Sequence, residues 1–401
     1  MAPQCAGMFR EARIVTARRP LVIRTIAKCD FPAPPSVGRH TASDSRHGPA
    51  AACCSAPPGV NSLRFVCRKA AYYAMSSTIA ASTPAAVEVI EISDPAQANA
   101  GLELMEQDVM QLQSTGLRAR QVIVRLGSSI VVYYATNLRV RTRPTLHPSL
   151  IAYMSFAPQA TGTADGLPIQ ADKLIIVPPD SRIGLVADPG YASITLLLRP
   201  EDIRAHLQVR GRDEDFRLPA GVIALDIDAS RAGSLFSWGK RLVALAEQQP
   251  ELFNHSPEQR AAAHAELLEV LLESLAITQD HPLERRERTQ QAQSKIVLVA
   301  ENYALAHTDE QLYVTDLCRA AAVSERTLEY AFRAVMGLSP TAYLTRLRLH
   351  RVHQALLAAD PGSTTVTHEA MEWGFWHFGE FSRLYKKCFG ELPSDTLRRP
   401  R

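Results

Sequence analysis

Two short segments, residues 324–335 and 377–389, carry the side chains best suited to chemistry, and that chemistry is recognition rather than bond breaking. In the first, SERTLEYAFRAV, helical spacing puts Leu328, Ala331 and Phe332 on one side and leaves Glu325, Arg326, Glu329, Tyr330 and Arg333 on the other. In the second, HFGEFSRLYKKCF, the inner side is Phe381, Leu384, Tyr385 and Cys388, and Arg383, Lys386 and Lys387 face outward. A guanidinium such as that of Arg383 can donate two parallel hydrogen bonds to guanine, and a carboxylate can accept from a cytosine amino group. Arg333, Lys386 and Lys387 lie farther along their segments and suit phosphate contacts, which add affinity without sequence information. A solvated charged face has the same composition, and for any single lysine that alternative stands level.

The elements that must hold these side chains come as an internal repeat. Val314-Thr315 matches Val366-Thr367 and Ala322-Val323 matches Gly374-Phe375 at an offset of 52 residues. After one inserted residue, Leu328 matches Phe381, Phe332 matches Tyr385, Gly337 matches Gly390 and Pro340 matches Pro393 at an offset of 53. Each copy reads as helix, tight turn, helix. Thr315 is expected to cap a helix through Ala321, and Ser324 a second through Val335. In the second copy Thr367 is expected to cap a helix through Trp373, Gly374 to make the turn, and His377 to cap the helix ending at Phe389. Gly337 and Gly390 stop the second helices, and Ser339-Pro340 starts a connecting helix with Tyr343, Leu344, Leu347 and Leu356. Tyr343, Trp373, Phe375 and Phe389 read as core.

The runs SERTLEYAF, GLSPTAYLTRLRL and AMEWGFWHFGEFSRLYKKCFGELPS resemble the AraC family of bacterial transcription regulators over roughly the last hundred positions. The GFWH variant is similar to the branch containing the ethanolamine-operon activator. The resemblance implies two helix-turn-helix units that contact double-stranded DNA. The family's contact positions select Arg326, Glu329 and Tyr330 in the first copy, and the equivalent and flanking positions in the second are Phe378, Gly379, Glu380, Ser382 and Arg383. It also implies an upstream cupin-like domain for sensing and dimerisation.

Upstream, short β-branched runs at residues 121–126, 129–134, 138–141, 173–177 and 192–198, bounded by turn residues such as Pro178-Pro179, read as a β-sandwich or barrel. Helices follow, one carrying Leu235, Trp238, Leu242 and Leu245, another starting at Ser256-Pro257 and carrying Leu268, Leu271, Leu272 and Leu275. That leucine-rich helix reads as core rather than a dimer seam. The expected class is therefore α+β and multidomain: a cupin-like, β-rich sensing domain over 85–277, a polar linker over 278–292, and an all-α domain over 293–401. Tyr133, Tyr153 and Trp238 could line a pocket, although aromatics in such elements are usually core.

Residues 1–74 are basic, with eleven Lys/Arg against three acidic residues, a charge of +8 that leaves −5 for the rest of a chain at +3. Five of the seven cysteines lie there, and no spacing suggests zinc or a disulfide framework, so a reducing cytoplasm is expected. This segment reads as a disordered or mis-annotated extension, with translation starting at Met75; an organellar transit peptide is the alternative. No run is long enough to span a membrane.

Between Val87 and Arg199 the only histidine is His147, so neither a metal nor another cofactor is expected, and no Gly-x-Ser-x-Gly turn or phosphate-binding glycine loop points to an enzyme. The reading is of an effector-responsive activator acting as a homodimer and recruiting RNA polymerase. The rivals are a metal-independent cupin-like enzyme and an effector-free architectural DNA-binding protein. One feature pulls the other way: residues 291–401 hold thirteen Lys/Arg and twelve Asp/Glu, a net +1 that is low for a DNA-binding region.

Overall fold

The computed structural model describes residues 84–99, 105–106, 109–114, 116–212, 216–275, 285–307, 310–360 and 362–399. The basic segment 1–74 and residues 278–284 of the expected linker lie outside the described residues.

The β-rich region comprises β1 (Val87–Ile92), β2 (Met105–Glu106), β3 (Val109–Gln111), β4 (Ala119–Arg125), β5 (Ile130–Thr136), β6 (Val140–Thr142), β7 (Thr145–Leu146), β8 (Ile151–Phe156), β9 (Gly162–Ala164), β10 (Leu167–Pro168), β11 (Lys173–Val177), β12 (Leu185–Ala187), β13 (Ala192–Leu198) and β14 (Ile223–Asp226). A seven-stranded sheet runs β1-β4-β5-β13-β8-β11-β14 and a five-stranded sheet runs β10-β9-β12-β6-β3, every pair antiparallel. The five expected strands recur within two residues of their expected bounds.

Side chains alternate across each strand, and here the alternation has two consequences. Val132 and Tyr134 of β5, Ala152 and Met154 of β8, and Ser193 and Thr195 of β13 face Thr142 of β6 and Leu185 of β12 across a cavity of about 50 Å³. Tyr133, Tyr153 and Trp238 do not line it; Tyr134 and Tyr191 do, because a shift of one residue along a strand reverses the face. On the outer face of the five-stranded sheet, Met110 and Val186 enter a hydrophobic cluster shared with the C-terminal helices.

Helices α1 (Pro200–Gln208), α2 (Ala229–Gln248), α3 (Pro250–Asn254) and α4 (Pro257–Leu275) complete this region. Helix α2 crosses the outer face of the large sheet so closely that a Cβ on Gly239 would sit 2.6 Å from an Ile194 methyl. Leu268 and Leu271 of α4 lie in the same core, as expected, whereas Leu245 of α2 is exposed.

Seven more helices follow: α5 (Arg285–Ala306), α6 (Val314–Ala321), α7 (Glu325–Met336), α8 (Pro340–Ala358), α9 (Val366–Glu372), α10 (Phe378–Phe389) and α11 (Pro393–Leu397). Residues 285–292, expected within the linker, are instead the opening turns of α5. Their polar composition carries no apolar stripe, yet Arg, Glu and Gln are good helix formers and the packed part of α5 extends through them.

The 52-residue repeat reappears as a pair of equivalent turns. Val323 N donates to Cys318 O (3.1 Å) and Ala322 N to Arg319 O (3.3 Å); 52 positions on, Phe375 N donates to Ala370 O (2.9 Å) and Gly374 N to Met371 O (2.9 Å). Both turns need a left-handed residue, supplied by Ala322 (φ 53°) in the first and Gly374 (φ 76°) in the second.

The caps differ in part from expectation. Ser324 Oγ accepts from Thr327 N (3.2 Å) and Ser339 Oγ from Ala342 N (3.1 Å), but Thr315 and Thr367 lie inside their helices. The first helix of pair one starts after Tyr313, whose N donates to the Asp316 carboxylate (2.9 Å), and its counterpart starts after Thr365, whose Oγ1 accepts from His368 N (3.1 Å). His377 occupies the N-cap position of α10 with no side-chain hydrogen bond to the helix.

Candidate nucleic-acid interface

Each pair has its own core. Leu328, Ala331, Phe332 and Val335 of α7 pack with Val297, Ala300 and Ala304 of α5 and with Tyr343 of α8, the Phe332 and Tyr343 rings 5.2 Å apart. Phe381, Tyr385 and Cys388 of α10 pack with Val352 and Leu356 of α8, where the rings of His353 and Phe389 stack at 4.1 Å. Helix α8 is therefore the shared beam on which both pairs are mounted. Tyr343 and Phe375 are buried as expected, and Trp373 and Phe389 are half-buried.

Burying those faces turns the opposite ones to solvent. Arg326 and Tyr330 are exposed on α7, Tyr330 by 69%, with Glu329 half-buried between them and Arg333 one turn on. On α10, Phe378, Glu380, Arg383, Lys386 and Lys387 are exposed, while Ser382 is half-buried at the margin. Each helix thus brings its expected contact residues to one surface, with Glu329 and Ser382 half-buried and the others exposed.

Glu329 and Glu380 on these faces are engaged by arginines of the same helix. Glu329 Oε1 accepts from Arg333 Nε at 2.6 Å, and Glu380 lies 4.0 Å from Arg383. Such exposed pairs add little stability, but they hold a long side chain near one orientation and neutralise part of its charge. Exposed Glu325 offsets Arg326, so the α7 face is balanced, whereas Lys386 and Lys387 leave the α10 face with a positive excess.

Trp376, in the turn before α10, is 64% exposed and lies beside Phe378. Sequence reasoning assigns Trp373 and Phe375 to the core and passes over Trp376. The available signal was its position outside the apolar spacing of Phe381, Leu384, Tyr385 and Cys388.

The β-rich region touches this assembly through buried polar contacts. Arg141 of β6 and Glu301 of α5 form a two-point pair (2.6 and 3.3 Å) with each side chain only 2% exposed. Burial opposes the charge on Arg141, but the Glu301 carboxylate outweighs it and raises the guanidinium above its ordinary value. Arg143 donates to Asn302 on the next position of α5. At the other end, Asp94 Oδ2 contacts His353 Nε2 (2.7 Å) and Arg399 (2.9 Å). Burial alone would raise the Asp94 carboxyl, yet the hydrogen bond and charge of His353, with the Ala96 amide and Arg399, hold it down at about 2.

A family described as a helix-turn-helix domain matches residues 317–399. A probable AraC family transcriptional regulator from Rhodopseudomonas palustris is 36% identical, the match covering 26% of this chain and 97% of that one with a TM-score of 0.25. The chain belongs to the AraC family of transcription regulators. Among curated relatives, the probable thc operon regulatory protein of Rhodococcus erythropolis is 35% identical over 133 residues, 33% of this chain and 40% of that protein. The XylDLEGF operon transcriptional activator 1 of Pseudomonas putida is 37% identical over 83 residues, 21% of this chain and 25% of that protein. The chain thus spans 40% or less of the length of these two curated relatives. Among the described residues no helix is long and apolar enough to cross a membrane.

Proposed function

We propose that this AraC-family protein is a sequence-specific DNA-binding transcription activator, in which α6–α7 and α9–α10 act as two helix-turn-helix units and α7 and α10 enter the major groove. One observation carries the reading: on both helices the apolar face packs against the fold, and the opposite face presents exposed Arg326, Tyr330 and Arg333, or Arg383, Lys386 and Lys387. Two such helices on one beam would address adjacent groove segments about one helical turn, roughly 34 Å, apart. Activation, rather than repression, is favoured by the name of the Pseudomonas putida relative.

The second part of the proposal is that the β-rich region is a cupin-like domain that binds a small-molecule effector and pairs two copies of the chain. Its cavity is mostly apolar, and Gln121 directs to it a buried side-chain amide whose Nε2 has no hydrogen-bond partner. A compact, largely apolar compound with one hydrogen-bond acceptor would satisfy that amide. The route outward is short, because neighbouring residues of β6 and β12 point in opposite directions: Thr142 and Leu185 into the cavity, Arg141 and Val186 to the helices. The regulator would work in the cytoplasm and help recruit RNA polymerase.

Selection of bound fragments from genomic DNA tests the first part; failure of the full chain to enrich any fragment over bulk competitor overturns it. Thermal-shift screening tests the second. A compound that raises the melting temperature should also change affinity for the selected fragment, and a stabilising compound that leaves DNA affinity untouched counts against an effector role.

A further inference from the structure

Resting on the reading that α7 and α10 contact DNA, we propose that Gln111, on the edge strand β3 of the five-stranded sheet, and Arg139, beside it immediately before the neighbouring strand β6, are positioning residues that fix the separation of the two DNA-reading helices. The operator spacing this protein accepts is then set by the β-rich region as well as by the helices themselves.

Three contacts converge on that edge. Arg139 Nη2 donates to Val335 O (3.0 Å) in the last turn of α7, and Gln111 Nε2 donates to Cys388 O in the last turn of α10. Both acceptors belong to the four carbonyls that a helix leaves unpaired at its C-terminal end, where the backbone dipole also favours a donor or a cation. Helix α8 is held by the same short stretch, since Arg346 donates to Gln111 O (2.8 Å), Gln113 O (3.1 Å) and Ser114 Oγ (3.3 Å).

The two donors are themselves tied together. Gln111 is paired with Val140 across β3 and β6, and Leu112 N donates to Arg139 O (2.8 Å), so the donors sit at adjacent rungs of one ladder. Arg139 is braced from behind by Asp188, 3.1 Å from its Nε, and Gln111 is buried. The space for the Arg139 guanidinium is made by Gly337, where a Cβ would come within 2.8 Å of Nη1. A rigid ladder therefore holds the C-terminal ends of both reading helices at once, and the segments free to contact bases are their opposite, N-terminal ends.

The test uses the full chain and duplexes carrying its selected site, with the spacer between the two contacted boxes lengthened or shortened by one base pair. Wild-type protein is expected to lose roughly tenfold in affinity per base pair of change, because one head or the other must leave its groove. The Gln111→Met, Arg139→Ala double variant is expected to lose most of that discrimination while keeping its affinity for the best spacer within about threefold. Gln111→Met removes the donor at nearly constant volume and brings no charge into a buried position, so on its own it guards against loss of the fold, and Arg139→Lys, which keeps a cationic donor, is expected to restore discrimination in part. Leu268→Ala, a core change in α4, lowers the active fraction without altering the spacer ratio. Wild-type discrimination in the double variant, or in Gln111→Met if the double variant does not fold, overturns the inference. If wild-type protein prefers no duplex, the DNA-contact reading fails first, visibly and separately.

Discussion

The two helix pairs share a plan and differ in how they are held. The first is nailed to the β-rich region by a shared apolar cluster, with Met110, Leu112 and Val186 among its members, and by the buried Arg141–Glu301 pair. The second keeps a smaller aromatic core to itself and meets the β-rich region through hydrogen-bonding and titratable groups: Asp94 against His353 and Arg399, and Gln111 against the end of α10. The first pair is thus coupled to the cavity-bearing sheet through close packing, and the second through contacts that respond to solvent composition.

The largest effect is expected from breaking the nail. Arg141→Ala strands a buried carboxylate on Glu301 and should lower unfolding free energy by about 3–5 kcal/mol, measured by denaturant titration. A smaller loss would mean that water reaches the pair. Next in size is acid. Burial, with the neighbouring His353 and Arg346 charges, pushes His350 of α8 down to about 3 from its ordinary 6.5. Between those values the unfolded chain binds a proton that the folded one does not, so this contribution is complete above pH 6.5 and is lost as pH falls toward 3, at up to about 1.4 kcal/mol per unit. Asp94 adds a second loss only lower, between 3.8 and about 2. Hydrogen exchange at mildly acidic pH should therefore show α8–α10 opening before α5–α7, and His350→Leu should flatten the slope. Equal acid sensitivity in both pairs would erase the comparison.

Smaller effects come from the turns and caps. Ala322→Gly relieves a left-handed alanine and should stabilise by roughly 0.5–1 kcal/mol. Gly374→Ala should destabilise by about as much or more, because its Cβ would also come within 3.3 Å of Arg348. Ser324→Ala should cost about 1 kcal/mol, whereas His377→Ala, which removes no capping bond, should cost close to nothing, all four variants being compared by denaturant titration.

These contrasts show what was legible in the chain. β11 and β13 stand out because Pro178-Pro179 and the Asp188-Pro189-Gly190 turn fence their apolar runs. β8, IAYMSF, is buried along its whole length, so it lacks the alternation that marks a half-exposed strand. The exposed faces of α7 and α10 follow from spacing alone, since burying Leu328 and Phe332, or Phe381 and Tyr385, dictates what is left outside. The helix starts were misplaced because Thr315 and Thr367 are adequate caps by type, whereas the chain uses the Asp316 carboxylate and Thr365. Contacts such as Arg141 with Glu301, 160 residues apart, leave no local trace. The salt bridges that tie Glu329 and Glu380 to arginines of their own helices are local by contrast, their i,i+4 and i,i+3 spacing being visible in the chain.

The central claim, that α7 and α10 read sequence, is tested most directly by comparing Arg383→Ala with Lys386→Ala on the selected site and on single-base variants of it. Arg383→Ala is expected to cost about 1–3 kcal/mol on the best site and to relax preference at one base pair, while Lys386→Ala weakens every sequence alike and lowers the salt dependence by about one counterion. Uniform losses from both substitutions, with base preferences intact, would contradict it.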